Sequence, residues 1–192
     1  MSIDDQKRQL GQMMTGYWVA QMIYVSARLG IADHIAAGSK QVGELSRLTG
    51  THPDSLFRML RALAGVGVFS EESPKQFTNT PTSELLRAQI PGSQRALALM
   101  MGEEHYKAWG ELMYSVRTGR PAFDHVVEKP VFEFLQEHPD KAAEFDAAML
   151  SIHGPETAAM IEAFDFAGVK VLADVGGGNG STLAGILAAH PK

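Results

Sequence analysis

The chain of 192 residues contains no cysteine, which excludes a disulfide scaffold, a thiolate metal site and a cysteine nucleophile. It also contains no run of 18 apolar residues, so no segment is long enough to span a membrane as a helix. The N-terminus carries Asp4 and Asp5 where a secretory signal would carry basic residues. We therefore expect a cytoplasmic protein with no membrane association.

Positive charge is in clear excess in neither half of the chain. The formal net charge is -5, from 17 basic and 22 acidic side chains. Residues 1–110 carry 11 basic and 10 acidic side chains, and residues 111–192 carry 6 and 12. Since nucleic-acid binding needs a basic face, this balance argues against a nucleic-acid partner. Hydrophobic residues make up 45% of the chain, as in ordinary globular domains.

The first part of the chain has the periodicity of an amphipathic helix that ends near Gly30. Its apolar residues recur at spacings of one, three and four, which predicts one wide apolar stripe: Met13, Met14, Tyr17, Trp18, Met22, Val25 and Leu29. Two interpretations stay open. The stripe either belongs to the core of this chain or docks on another chain.

Residues 39–80 have the order helix, turn, helix and hairpin that is typical of a winged helix. A short helix over Val42–Leu48 should end at Gly50, and the next helix should have Thr51 as its N-cap. Two strands are expected at 68–70 and 76–78. Helices then dominate up to residue 164, with breaks at Pro91-Gly92 and at Gly154-Pro155. The predicted fold is therefore mainly α.

The pattern changes at Lys170, where an apolar segment over 171–175 predicts a buried strand. Residues 176–180 form a glycine loop, and Ser181 should cap the helix that follows. This is the first β-α unit of a Rossmann-like α/β fold. A dinucleotide site would need glycine at 181, whereas glycines at 176, 178 and 180 suit S-adenosylmethionine. Asp174 either orients the loop or contacts the ligand.

Five motifs in this order resemble the S-adenosylmethionine-dependent O-methyltransferases that carry an N-terminal winged-helix dimerisation domain. The family includes acetylserotonin, caffeate-type and bacterial natural-product enzymes. The matching segments cover nearly the whole chain: Leu29 to Asp33, Arg58 to Leu63, Trp109 with Ser115 to Gly119, Phe145 with Met149, and Asp174 to Gly180.

The resemblance implies a division into a dimerisation domain over 1–100 and the beginning of a methyltransferase domain over 101–192. It further implies a homodimer formed through the N-terminal helices and a hydroxylated aromatic or polyketide-like substrate. The residues that it assigns to S-adenosyl-L-methionine are Phe132, Met149, Asp174, Gly176, Gly177 and Gly178.

The resemblance also places a ribose-binding acid about 20 residues beyond the loop and a catalytic histidine farther on. Both positions would lie beyond Lys192, where the sequence stops. We therefore expect no catalytic residue in this chain, and no turnover from it alone. Its own histidines show no metal-binding spacing, although the resemblance puts His105 near the substrate pocket with Trp109, Met113 and Phe123.

A winged helix can also belong to a DNA-binding transcription regulator, which is the alternative hypothesis. Residues 39–64 carry four basic and two acidic side chains, but the expected wing contains Glu71 and Glu72, which would repel phosphate. A regulator would also need basic or amide side chains on its recognition helix to read base edges.

Overall fold

A computed structural model describes residues 1–191 of the chain. These residues are mostly helical, with one two-stranded antiparallel sheet. In chain order the elements are α1 (Ile3–Arg28), α2 (Ile31–Ala36), α3 (Val42–Thr49), α4 (Pro53–Gly65), β1 (Phe69–Ser73), β2 (Gln76–Asn79), α5 (Pro81–Glu84), α6 (Arg95–Gly102), α7 (Glu104–Gly110), α8 (Leu112–Thr118), α9 (Ala122–Val127), α10 (Val131–Glu137), α11 (Pro139–Ala163) and α12 (Ser181–Ala189).

Helix α1 begins and ends where local chemistry requires. The Ser2 hydroxyl accepts a hydrogen bond from the Asp5 N–H, and the Asp5 carboxylate accepts one from the Ser2 N–H, which forms a capping box. The helix ends at Arg28, two residues before Gly30, whose φ of +63° is open to glycine at little cost. The predicted end near Gly30 is confirmed.

The segment from α2 to β2 forms the predicted winged helix around one apolar core. Leu45, Leu60, Leu63 and Phe77 are fully buried in this core, which also takes in residues of α2. The N-cap of α4 is His52, whose Nδ1 accepts from the Ser55 N–H, so the expectation of Thr51 was wrong. Strand β1 extends to Ser73, which leaves a tighter turn than expected.

The predicted helix break at Gly154-Pro155 was wrong, because α11 continues through both residues. Proline has no N–H to offer the carbonyl four residues earlier, which here belongs to Ser151. The Gln94 side chain supplies the missing donor, with its Nε2 lying 3.4 Å from the Ser151 carbonyl oxygen. A contact from a residue distant in the sequence therefore compensates for a proline that would otherwise break the helix.

The predicted buried strand over 171–175 was also wrong. This segment has no regular structure, and Val171 and Val175 are 86% and 96% exposed. A strand needs a neighbour for its backbone hydrogen bonds, and among the described residues neither β1 nor β2 pairs with this segment. Of the expected β-α unit, the structure has the loop and the helix. Gly180, with φ +76°, is the N-cap of α12, so Ser181 is not the cap.

The structure does not test what the sequence predicted beyond Lys192 or for the boundary between the two domains. Lys192, beyond which the catalytic histidine and the ribose-binding acid are expected, lies outside the described residues. The positions of these two side chains, and the division of the chain at residue 100, therefore stay predictions. Within residues 1–191, no helix combines the length and the apolar character that crossing a bilayer demands.

Candidate functional site

The glycine loop before α12 depends on backbone angles that other residues avoid. Gly176, Gly178 and Gly180 have φ values of +75°, +55° and +76°, in the left-handed region that costs glycine little. The loop closes on itself, because the Gly180 N–H donates to the Gly177 carbonyl over 2.8 Å. These alternating left-handed positions bend the chain sharply in front of a helix N-terminus.

Gly177 is required for a different reason, since its φ is not in the left-handed region. A Cβ at this position would overlap the carboxylate of Asp174. The carboxylate therefore lies directly against the bare backbone of the loop. This geometry fits the role of orienting the loop that the sequence suggested for Asp174, and it leaves the second suggested role, ligand contact, open.

The loop is attached to α11 through the first turn of α12. The hydroxyls of Thr157 on α11 and Thr182 on α12 lie 3.3 Å apart. A Cβ at Gly185 would come within 3.0 Å of the Thr157 methyl carbon, so the two helices pack closely at this point. As a result, α11 and the loop form two sides of one cavity.

This cavity, which we call the loop cavity, has a volume of about 680 Å³. Its wall contains all six residues that the sequence analysis assigned to the cofactor: Phe132, Met149, Asp174, Gly176, Gly177 and Gly178. They come from α10, from α11 and from the segment 174–178. Phe132 and Gly178 are therefore far apart in the sequence but line the same cavity. Cavities of this size hold cofactors and drug-sized ligands.

A second cavity of about 560 Å³, the aromatic cavity, lies among α7, α8, α9 and α10. His105, Trp109 and Phe123 line it, as expected, whereas Met113 does not and is exposed. Its remaining wall is largely apolar, with Ser115 and Asp124 as polar groups. The side chain of Phe145 belongs to the walls of both cavities, so the two spaces adjoin across one ring.

His105 lines the aromatic cavity, and its pKa is shifted. Burial lowers its pKa, against the opposing influence of the nearby Glu104 carboxylate. Its ring lies 5.3 Å from the Phe123 ring, centroid to centroid. A histidine of this kind is neutral at pH 7 and presents one N–H donor and one acceptor.

Sequence reasoning gave no role to Phe145, Thr157 or Thr182, which all line the loop cavity. Phe145 could have been found, because it precedes Met149 by four residues on α11 and therefore shares its face. The threonines carried no signal in the sequence, since their pairing depends on how α11 packs against α12. Among residues 1–191, no group of three or more acidic or histidine side chains is arranged to hold a metal ion.

A winged helix joined to a glycine loop and two adjoining cavities suits the class of proteins that hold a nucleoside-type cofactor beside a small molecule. Two family models agree with this class: an O-methyltransferase dimerisation domain matches residues 12–89, and an O-methyltransferase domain matches residues 109–192. The chain belongs to this family of O-methyltransferases, which uses S-adenosylmethionine.

Characterised relatives include a phenazine O-methyltransferase of Lysobacter antibioticus, which is 40% identical over 94% of this chain and 53% of its own length. A 3-amino-4-hydroxybenzoate 4-O-methyltransferase of Streptomyces cremeus is also 40% identical, over 98% of this chain and 52% of its length. An 8-amino-8-demethylriboflavin N,N-dimethyltransferase of Streptomyces davaonensis is 37% identical, over 91% and 51%. The chain thus spans about half the length of the curated relatives it matches.

Comparison with solved structures indicates the same family and again covers about half of each matched chain. The chain superposes on LaPhzM with a TM-score of 0.92 at 40% identity, covering 97% of this chain and 56% of that one. An O-methyltransferase of neocarzinostatin biosynthesis, in complex with S-adenosylmethionine and 2-hydroxy-5-methyl naphthoic acid, gives a TM-score of 0.79 at 32% identity, covering 90% and 54%.

Proposed function

We propose that this chain provides the dimerisation domain and the cofactor-binding segment of an S-adenosylmethionine-dependent O-methyltransferase acting on an aromatic or polyketide-like hydroxyl. The observation that carries the proposal is the loop cavity, whose lining includes the six residues that the sequence analysis assigned to the cofactor. The names of the relatives support the reaction class.

The residues of the loop cavity fit the cofactor. The glycines expose peptide N–H and C=O groups without side chains in front of them, and the N-terminus of α12 lies beside them with further N–H donors. Met149 and Phe132 supply polarisable and aromatic surface for a flat nucleoside base. When bound, S-adenosylmethionine would supply a methyl group on a positively charged sulfur, and attack by a substrate oxygen on that methyl carbon would form an O–C bond as the C–S bond breaks, with S-adenosylhomocysteine as the leaving group.

The aromatic cavity fits the acceptor molecule. Its mostly apolar wall, with Trp109 and Phe123, suits a fused or single aromatic ring, and its three polar groups could fix the orientation of ring substituents. Because Phe145 separates the two cavities, a substrate here would lie next to the loop cavity. The main contribution of these residues to the rate would be alignment of the two reactants.

We further propose a homodimer formed through α1. Met13, Met14, Tyr17 and Trp18 lie in the N-terminal two thirds of α1 and are all more than half exposed. Such a contiguous apolar surface is unusual on a monomer. It falls inside the segment that the dimerisation-domain model matches, and the match supports a second copy of this chain as the partner.

Isothermal titration of the purified chain with S-adenosylhomocysteine, and separately with NAD, tests the proposal. We expect saturable binding of the first ligand and none of the second. Binding of NAD together with indifference to S-adenosylhomocysteine would contradict it. The expectation that the 192-residue chain has no turnover stays a prediction, which an assay with labelled S-adenosylmethionine and a panel of phenols and aromatic amines can decide.

The DNA-binding alternative finds no support in the comparisons, since the winged helix falls within the matched dimerisation domain. An electrophoretic mobility shift assay against random duplex at low salt tests it separately. Binding that fades steeply with added salt would favour a regulator.

A further inference from the structure

A cluster of six polar side chains connects α1 to α11 through the junction of α6 and α7. Glu103, at the junction, is its centre, and we call the group the Glu103 cluster: Tyr24, Arg28, Glu103, Glu104, Lys141 and Glu144. The side chains of Glu103 and Lys141 are 13% and 18% exposed. The centre of the cluster is therefore largely withdrawn from water, unlike the usual surface ion pair, whereas Arg28 at its edge is more than half exposed.

Its contacts join different parts of the chain, except for the one between Lys141 and Glu144 within α11. Lys141 Nζ donates to Glu103 and lies 3.6 Å from Glu104 Oε2 and 3.3 Å from Glu144 Oε2. The Tyr24 hydroxyl donates to Glu103 Oε1 over 3.1 Å. Arg28 Nη1 lies 3.7 Å from Glu103 Oε1 and 3.5 Å from Glu144 Oε1.

The charges depend strongly on Lys141. Burial opposes its charge, but the hydrogen bond to Glu103 and the attraction of Glu104 and Glu144 outweigh this effect and raise the pKa of Lys141. Burial likewise opposes ionisation of Glu103, and the Lys141 hydrogen bond outweighs it and lowers the pKa of Glu103. Without Lys141, three carboxylates would face Arg28 alone in a partly buried space, which is costly.

A shape constraint reinforces the electrostatic one. Gly102 packs so closely on the ring of Tyr24 that a Cβ there would overlap the ring. The Gln21 side chain also donates to the Gly102 carbonyl over 3.3 Å. The junction of α6 and α7 is thus held against α1 at Gly102 as well as at Glu103.

The cluster lies on the helix that forms the wall between the two cavities. Lys141, Phe145 and Met149 are spaced by four residues on α11, so they lie along one side of the helix. Phe145 contributes to both cavities and Met149 to the loop cavity. A shift or rotation of the start of α11 would move both side chains.

We propose that the Glu103 cluster is a positioning device in which Lys141 fixes α11 to α1 and thereby sets Phe145 and Met149 for ligand binding. Lys141 is a positioning residue, since it does not line the loop cavity. This inference rests on the proposed cofactor site for its effect on binding, but not for its effect on α11. It ties the helix with the proposed dimer surface to the helix with the proposed cofactor contacts.

The test compares Lys141→Met with Lys141→Arg, which keeps the charge, and with Lys75→Met as a matched control. Lys75 forms an exposed ion pair with Asp54 in the hairpin region, 3.7 Å long. Two quantities are measured at a temperature where all variants are folded by circular dichroism: amide hydrogen exchange of residues 142–153, and the Kd for S-adenosylhomocysteine.

We expect Lys141→Met to accelerate exchange in this part of α11 and to raise the Kd roughly tenfold or more, with partial rescue by Lys141→Arg and no change in Lys75→Met. A merely stabilising role would lower the melting temperature and leave the Kd of the folded protein unaltered. If Lys141→Met does not fold, Tyr24→Phe removes one hydrogen bond to Glu103 and should cause the same changes to a smaller extent.

The outcomes separate the two proposals. If the unmodified chain fails to bind S-adenosylhomocysteine, the cofactor site is refuted, while hydrogen exchange still decides whether Lys141 holds α11. If exchange in 142–153 is unchanged in the folded variants, or if Kd is unchanged while the unmodified chain binds, the positioning role is overturned.

Discussion

At the scale of the single residue, Gly177 makes the sharpest prediction. An added methyl group would overlap the Asp174 carboxylate, which is exposed and would have to turn away from the loop. Gly177→Ala should therefore weaken binding of S-adenosylhomocysteine by roughly 2- to 10-fold in calorimetric titration. Gly168→Ala is the matched control, because that position has open space around it and no left-handed φ.

A double variant decides between the two roles of Asp174. If Asp174 only orients the loop, Asp174→Ala should relieve the overlap and restore much of the binding lost in Gly177→Ala. If Asp174 holds the ligand, the double variant should bind as weakly as the weaker single variant, or less well. Equal binding by Gly177→Ala and the unmodified chain would contradict the close packing itself.

His105 predicts a pH dependence of stability. Because burial lowers its pKa in the folded chain, the unfolded chain binds a proton first as the pH falls below about 6.5. The free energy of unfolding should therefore be full above that pH and decrease as the pH falls towards the folded-state value. Urea unfolding at pH 7.5 and 5.5 measures this, and His105→Gln should show a smaller decrease. Equal decreases in both proteins would argue against the buried, neutral state.

At the scale of the element, the sequence predicted helix ends better than helix continuity. The ends at Gly30 and Gly50 were correct because a left-handed glycine acts within its own turn. The break at Gly154-Pro155 was wrong because a side chain just before α6 repairs the backbone. The strand over 171–175 was wrong because strand formation needs a partner, which periodicity alone does not reveal.

The Gln94 contact with α11 can be measured by a double-mutant cycle. Gln94→Ala removes the donor to the Ser151 carbonyl and should lower the free energy of unfolding by ~1 kcal/mol. In a Pro155→Ala background, residue 155 regains its own N–H for that carbonyl, so Gln94→Ala should cost much less there. The cycle compares the four proteins by urea unfolding, and additive effects of the two substitutions would show that the side chain does not compensate for proline.

At the scale of the whole molecule, the sequence identified residues of the candidate site but not their arrangement in space. Phe132, Met149 and the loop glycines could be named from the sequence, because a motif places them by resemblance. Their arrangement around one cavity could not, since it depends on how α10, α11 and the loop pack. The aromatic cavity was foreseen at His105, Trp109 and Phe123, but Met113 faces elsewhere, because the face of α8 that lines the cavity carries Leu112 and Ser115.

The exposed part of α1 yields the last prediction, which concerns assembly. The stripe found in the sequence divides in the structure: Met22 and Leu29 pack against the core of the winged helix, whereas Met14, Tyr17 and Trp18 are exposed. The two open interpretations of the stripe thus apply to different parts of it: the residues up to Trp18, and those from Met22 onward. A second copy covering the exposed part would remove this apolar area from water, at roughly 25 cal/mol for each Å².

Sedimentation equilibrium over a wide range of protein concentration should show a dimer for the unmodified chain. The double substitution Met14→Glu and Trp18→Glu places two charges in the interface and should shift the equilibrium to monomer, because burying an unpaired carboxylate is costly. Leu187→Glu is the control, since Leu187 is similarly exposed but lies on α12, outside the matched dimerisation domain. A monomer at every concentration, or equal dissociation by the control, would show that the exposed part of α1 is not where two copies meet.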